Sequence, residues 1–223
     1  MQQHFLQRLA KTMNKIGGNM DKLMIIGASG HGKVIADIAS CTELYGEIVF
    51  LDDDDRLSEC MGYPVIGNTQ NIEQYVAQYD MIVAIRNAQI RQHMMNTIEH
   101  IGGHIATLIH PRATISAYAQ IGDGSVIMPG AVVNAGAVVG RGRIINTGAT
   151  VDHDCILGDY VHIAVGAHLA GTVTIDDDTW IGIGAVVSNN LHVCGNCMVG
   201  AGAVVVRDLV TPGTYVGVPA RII

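Results

Sequence analysis

The 223-residue sequence is poor in aromatic side chains: one Trp, seven Tyr and two Phe, 4% in all, against a hydrophobic content of 49%. Its cores must be packed from aliphatic residues and alanine, and the chain is long enough for two modest domains. Lysine is equally scarce. All four lysines lie at or before Lys33, nine arginines supply the remaining positive charge, and the formal net charge is −7. With no basic run, neither nucleic acid nor an anionic membrane surface is an expected partner. No apolar stretch approaches the roughly 20 residues of a spanning helix, so membrane insertion is not expected. The five cysteines, Cys41, Cys60, Cys155, Cys194 and Cys197, are odd in number and form no disulfide framework. With no secretory signal either, the expected compartment is the cytoplasm.

Residues 1–20 contain no acidic residue and no sustained apolar region, so they read as a tail. It is either a disordered segment or a short amphipathic helix built on Phe5, Leu6, Leu9 and Met13. Gly17-Gly18-Asn19-Met20 can be encoded by a purine-rich ribosome-binding sequence followed by ATG, which makes Met20 a candidate translation start.

From residue 21 to 108, strand and helix patterns alternate. The apolar strand Leu23–Ile26 runs into Gly27-Ala28-Ser29-Gly30-His31-Gly32, and Val34, Ile35, Ile38 and Ala39 then recur at helical spacing. Ile48–Leu51 is a second strand, ending in Asp52–Asp55. Residues 64–66 form a weak third strand, a helix carries Ile72, Tyr75, Val76 and Tyr79, a strand covers 81–85, and a last helix runs from Asn87 to about Ile101. Such alternation predicts a small Rossmann-like α/β domain with a parallel sheet.

From residue 109 to 223 the pattern changes to a repeat of six. Stepping by six from Ile115 through Ile121, Ile127 and Val133 to Val205 meets only Ile, Leu or Val, at sixteen positions. Four residues after each, the side chain is usually small, as at Ala131, Ala137, Ala149, Cys155, Ala167 and Ala185. This is the period of a parallel β-helix, in which three hexads close one triangular coil of about 18 residues. At a strand spacing of about 4.8 Å the run makes about five coils, a prism roughly 25 Å long. No loop interrupts it, so an acceptor substrate must be held by the first domain or by a neighbouring subunit.

An 18-residue coil also predicts neighbours. Ala135, His153, Gly171, Asn189 and Arg207 share one column; Ile144, His162, Trp180 and Met198 share another. His153 follows inward-pointing Val151 by two places, so it faces outward between Asp152 and Asp154. A carboxylate accepting its Nδ1 proton leaves Nε2 free as a base, whereas a lone turn histidine would merely be solvated. His153 and His162 are half a coil apart and project from different sides of the prism. One ligand meets both only if two prisms pack side by side, as three-fold packing provides.

In the first domain, Gly27, Gly30 and Gly32 follow a strand and open a helix, which lets backbone N–H groups approach a phosphate or sugar. Asp52 and Asp53 end the next strand, where a carboxylate can bind ribose hydroxyls or a base N–H. Four aspartates in a row on a loop do not build a coordination sphere, so no metal is expected. Cys194 and Cys197 have a redox or zinc spacing, but Cys197 occupies the small position of its hexad and no second pair exists.

Together, GASGHGKV, FLDD, INTGATVDHDCILGDYVHIAVGAHLAG and YVGVPAR make the sequence resemble the sialic-acid O-acetyltransferase (NeuD) and UDP-4-amino-sugar N-acetyltransferase (PglD) family, from about Leu23 to Arg221. The resemblance implies a left-handed winding for the β-helix, against the usual crossover hand. It implies a homotrimer with acetyl-CoA as co-substrate in the groove between subunits. His153 is then the catalytic base and Asp154 its orienting partner. His162, Gly171, Ile183 and Ala201 are implied acetyl-CoA contacts. Ser29, Gly30, His31, Asp52 and Asp53 would hold the UDP of a UDP-amino-sugar, and Asn146 would position the acceptor. Arg207 and Arg221 are either CoA-phosphate ligands or solvated surface residues.

The implied reaction is acetylation of the 4-amine of a UDP-linked 2-acetamido-4-amino-trideoxy sugar. The alternative is O-acetylation of a sialic acid or another glycan sugar, and His153 serves either. One departure stands out: where the amino-sugar enzymes read Ala-Ile-Gly-Asn-Asn, this chain has Ala84-Ile85-Arg86-Asn87-Ala88. An arginine there either pairs with phosphate or narrows the nucleotide pocket.

Overall fold

The computed structural model describes residues 21–223. The expectations for residues 1–20, including a start at Met20, lie outside them. The first domain runs β1 (Asp21–Ile26), α1 (Gly30–Thr42), β2 (Tyr45–Leu51), β3 (Glu59–Cys60), β4 (Tyr63–Pro64), a 3-10 helix (Thr69–Gln74), β5 (Asp80–Val83), α2 (Ala88–His100) and β6 (His104–Ile105). Its sheet has the order β2-β1-β5-β6, and every pair is parallel. Strand side chains alternate, so β1 sends Leu23 and Ile25 to one face and Met24 and Ile26 to the other. All four are fully buried, because helices cover both faces. Ile35, Ala36, Ile38 and Ala39 of α1 pack on the first face. Met95 and Ile98 of α2 pack on the second.

Two expected elements differ. Residues 64–66 do not form a sheet strand: Tyr63–Pro64 pairs with Glu59–Cys60 as a small hairpin, and Val65 alone bridges to Phe50. Pro64 has no N–H to donate to a ladder, which confines the segment to an edge. The helix expected around Ile72 to Tyr79 is instead the 3-10 helix at Thr69–Gln74, capped by the Asn68 side chain. Ile72 is its only buried residue, too little apolar surface to hold a longer helix.

The repeat folds as its period dictates. Each hexad contributes a two-residue strand, and partners lie 18 positions apart, as in the series Val126, Ile144, His162, Trp180 and Met198. Three parallel sheets result. The solenoid has about six turns rather than five, because Leu108–Ile109 and Gly213–Val216 also pair with it beyond the ends of the aliphatic series. The sixth-position residues from Ile127 to Val205 and the small residues between them are buried in one core. One residue per hexad turns the corner in left-handed conformation. Glycine usually takes this role, but Asp154, Tyr160, Thr172, Asp178, Asn190 and Asn196 do so with φ between 56° and 61°. Each costs about 1 kcal/mol or more relative to glycine.

The domains are fused along one side of the solenoid. Outward-facing Leu108, Val126 and Ile144 join the core beneath α1, and Tyr160 joins the core beneath α2. Arg91 of α2 fastens this seam. Its side chain is 1% exposed and donates to the carbonyls of Gly142 and Tyr160 in the solenoid, each at 2.7 Å. It also donates to the carbonyls of Ile85 and Arg86 in the first domain, each at 2.9 Å. Burial lowers its pKa to about 10, which still leaves it cationic at neutral pH. Arg91→Met keeps much of the bulk but strips four carbonyls of their donor, those of Gly142 and Tyr160 being buried. The expected loss is about 3 kcal/mol or more, read as a lower denaturant midpoint. A loss below about 0.5 kcal/mol, the range of ordinary surface substitutions, would show that the seam does not depend on this side chain.

Candidate active site

A cavity of about 350 Å³ opens at the C-terminal ends of β1, β2 and β5, where the strand order reverses. Gly27 and Ser29 wall it after β1, Asp52 and Asp53 after β2, and residues 84–87 after β5, with Thr69 on the rim. The loop after β1 is tight: a side chain on Gly32 would collide with the Gly27 carbonyl, so only glycine lets α1 start so close. Asp52 holds that loop by accepting from Ala28 N at 2.6 Å and Asp54 N at 2.9 Å. Asp53 accepts from Thr69 N and Oγ1, both at 2.9 Å. Both carboxylates thus shape the walls and retain lone pairs for a ligand. Ser29 is the N-cap of α1, yet its hydroxyl makes no cap hydrogen bond.

Gly30 and His31 do not line this cavity. They start α1, and His31, 8% exposed, is buried near the seam. There it approaches His162, which belongs to the solenoid sheet fused to the first domain. His162 is 4% exposed and stacks on Trp180 with ring centroids 4.9 Å apart. Asn146 Oδ1 accepts from Thr147 N at 2.8 Å, which orients the amide so that Nδ2 donates to His162 Nε2 at 3.1 Å. This network assigns the His162 proton to Nδ1. Among the described residues neither His162 Nδ1 nor His31 Nε2 has a hydrogen-bond partner. Burial first, then His31, Arg91 and Arg86, push His162 down to about 3. Burial first, then Arg91 and Arg86, hold His31 at about 4. Both rings are neutral near physiological pH, suited to hydrogen bonding and too weak to be general bases.

His153 is the opposite case. It stands at the corner after Thr150–Val151, with its side chain 58% exposed. Nδ1 donates to Asp154 Oδ2 at 2.9 Å, leaving Nε2 as the acceptor. Asp152 accepts from the His153 amide and from Asn134 Nδ2, each at 2.7 Å. The bond to Asp154 raises the His153 pKa, burial opposes it, and the charges of Asp152 and Asp154 add to the rise. Each member of this pair lies against a glycine of a neighbouring coil. A Cβ on Gly171 would collide with His153 Nε2, and one on Gly136 would collide with Asp154 Oδ1. The column arithmetic finds Gly171; the same arithmetic applied to Asp154 would have found Gly136.

Among the expected residues, the structure therefore groups Ser29, Asp52 and Asp53 around one cavity, and His31, Asn146 and His162 at the seam. His153, Asp154 and Gly171 lie on another side of the prism, as the half-coil spacing requires. Ile183, 60% exposed, and Ala201 occupy successive corners after the sheet of His162, linked by a bond from Gly202 N to the Ile183 carbonyl. The expected acetyl-CoA set is thus divided, with Gly171 beside His153 and the rest beside His162.

The profile of the PglD N-terminal domain matches residues 22–98. The acetyltransferase domain of PglB from Neisseria gonorrhoeae FA1090 is 46% identical with a TM-score of 0.88, covering 91% of this chain and 99% of that one. The chain belongs to the PglD family. The shared fold makes the solenoid a left-handed β-helix. PerB from Caulobacter crescentus, solved with CoA and GDP-perosamine, is 35% identical with a TM-score of 0.82 over 93% of this chain and 98% of that one. A curated relative, UDP-N-acetylbacillosamine N-acetyltransferase of Bacillus subtilis (strain 168), is 33% identical over 112 residues. That match spans 49% of this chain and only 52% of the relative.

The two kinds of histidine can be separated by titration. In NMR spectra His162 should stay neutral until well below pH 5, while His153 should protonate above the ordinary 6.5. Asp154→Asn should return His153 towards 6.5. A His162 that protonates above pH 6, or a His153 indifferent to Asp154, would contradict this geometry.

Proposed function

We propose that the protein transfers the acetyl group of acetyl-CoA to the 4-amine of a nucleotide-linked 4-amino sugar, a UDP-linked 2-acetamido-4-amino-trideoxy hexose, with His153 as general base. The observation that carries this reading is the full-length likeness to the PglB acetyltransferase domain, also solved in complex with acetyl coenzyme A. The curated relative and PerB support an amine acceptor on a nucleotide sugar rather than a hydroxyl on a glycan. The cavity at the sheet switch point suits the nucleotide, and the half-buried ring of Trp180 beside neutral His162 suits the reacting groups.

In the reaction the acceptor nitrogen attacks the thioester carbonyl carbon. A C–N bond forms as His153 Nε2 takes a proton from the nitrogen, and Asp154 stabilises the resulting imidazolium. The tetrahedral intermediate then expels the CoA sulfur, breaking the C–S bond, and His153 returns the proton to the thiolate. His162 acts as a neutral hydrogen-bonding contact for acetyl-CoA. Because His153 and His162 occupy different sides of one prism, they serve one acetyl-CoA only from two chains. Three-fold packing brings prisms side by side in this way, and the family resemblance implies a homotrimer with each site between neighbours.

His153→Ala should lower kcat by about 100-fold or more with no change in thermal midpoint, and activity within threefold of wild type would remove the base. Inactive His153→Ala and His162→Ala subunits, mixed and reassembled, should regain part of the activity. Mixed trimers of verified composition that stay inactive would place both histidines in one chain's site instead.

A further inference from the structure

We propose that Arg86 is the diphosphate ligand of the nucleotide cavity, its guanidinium spanning the two phosphates that join nucleoside to sugar. The proposal rests on the nucleotide-sugar reading above and chooses between the two roles that the sequence leaves open for this arginine.

Charge is the first reason. Asp52, Asp53 and Arg86 all line the cavity, and Arg86 is the only cationic side chain among its lining residues. A diphosphate brings at least two negative charges beside two carboxylates, so without a cation the site would repel its ligand. Arg86 is also available. Asp52 and Asp53 spend bonds on Ala28, Asp54 and Thr69 rather than on Arg86. Among the described residues its exposed guanidinium has neither a hydrogen bond nor an ion pair, whereas Arg91, Arg141 and Arg143 are all engaged.

Geometry is the second. The backbone at Arg86 is fixed, since its carbonyl accepts from Arg91 Nη1 at 2.9 Å and the next residue, Asn87, caps α2 through Ile90 N at 3.0 Å. The side chain therefore leaves from a rigid point at the N-terminus of a 13-residue helix, whose partial positive charge favours an anion. Ser29, capping α1, stands on the same cavity with its hydroxyl unused as a cap.

Position is the third. The charge of Arg86 acts on both His31 and His162 at the seam. Arg86 thus connects the cavity, where the nucleoside fits, with the seam, where the sugar must reach. In a nucleotide sugar the segment between those two ends is the diphosphate. Guanidinium is suited to it, because its planar fork makes paired, charge-assisted bonds to phosphate oxygens.

The test compares wild type, Arg86→Gln and Arg86→Lys by calorimetry with UDP, UMP and uridine, and with GDP in parallel, and then by steady-state kinetics. For Arg86→Gln the Kd of the diphosphate should rise about tenfold or more, the worth of a paired charge-assisted contact, and its advantage over the monophosphate should shrink. Arg86→Lys should fall between the two. KM for the sugar nucleotide should rise while KM for acetyl-CoA and the thermal midpoint stay unchanged. Diphosphate binding unaltered in a folded Arg86→Gln protein overturns the assignment and leaves the nucleotide-sugar reading intact. An equal loss for acetyl-CoA overturns it in favour of the CoA diphosphate. Wild-type protein that binds neither UDP nor GDP overturns the nucleotide-sugar reading and this assignment with it.

Discussion

In-register stacking of 18-residue coils is the constraint on which the placement of the solenoid side chains depends. A parallel ladder fixes each residue against the one a coil below, so a side chain's surroundings are set by positions 18 away as much as by its neighbours in sequence. His153 faces Gly171 across that step and Asp154 faces Gly136. The two absent side chains leave room for an imidazole and a carboxylate to lie against adjacent coils. His162 meets Trp180 across the same step, giving the stacked pair at the seam. Precision of this kind needs no active-site loop, and the apolar core that enforces it is one cluster running along the prism.

The cavity at the sheet switch point belongs to the α/β domain, so the attachment of the solenoid to that domain matters as much as its regularity. That attachment is a continuation of packing. Leu108, Val126 and Ile144 point outward from the prism and would be exposed on a free β-helix, but here they are buried under α1. The same column then emerges from cover as His162, Trp180 and Met198, with burial falling from nearly complete at His162 to about half exposure at Met198. The column therefore begins as core, becomes site, and ends as open surface. Arg91 sits at the transition, binding carbonyls of both domains, and its charge adds to the burial that keeps His31 and His162 from protonating.

Much of this was legible in the sequence because periodicity is local information. Sixteen aliphatic residues at steps of six specify the coil, and the coil specifies that His153 meets Gly171 and His162 meets Trp180. The αβ alternation likewise placed Ser29, Asp52 and Asp53 at the ends of adjacent parallel strands. What could not be read depends on contacts between distant segments. Arg91 looks like an ordinary arginine on an amphipathic helix, and nothing near it announces that Gly142 and Tyr160 will offer it their carbonyls. His31 follows the glycines of a phosphate-type loop and so reads as a nucleotide contact, but the first turn of α1 carries its ring to the seam. Arg143 breaks the small-residue rule of the hexads: it occupies an inward position yet is buried, reaching the Leu157 carbonyl and Asp159. A one-dimensional pattern shows that exception without showing where its charge goes.

The three histidines of the candidate site show how environment separates identical side chains. His31 and His162 are enclosed near two arginines, so protonation would place a cation in a poorly solvated region already positive; both remain neutral. His153 stands in solvent between two aspartates, where protonation is favoured and one tautomer is held by Asp154. A base must gain a proton during the reaction and release it afterwards, which suits the exposed and polarised ring. A group that orients a thioester or a sugar must keep its hydrogen-bonding pattern throughout, which suits the buried and neutral rings. Exchanging the two environments would leave a base that cannot accept a proton and a binding group that changes charge with pH. On the proposed reading, burial and charge favour His153 over His162 as base, and the placement of the two on different sides of the prism makes a shared acetyl-CoA span two chains.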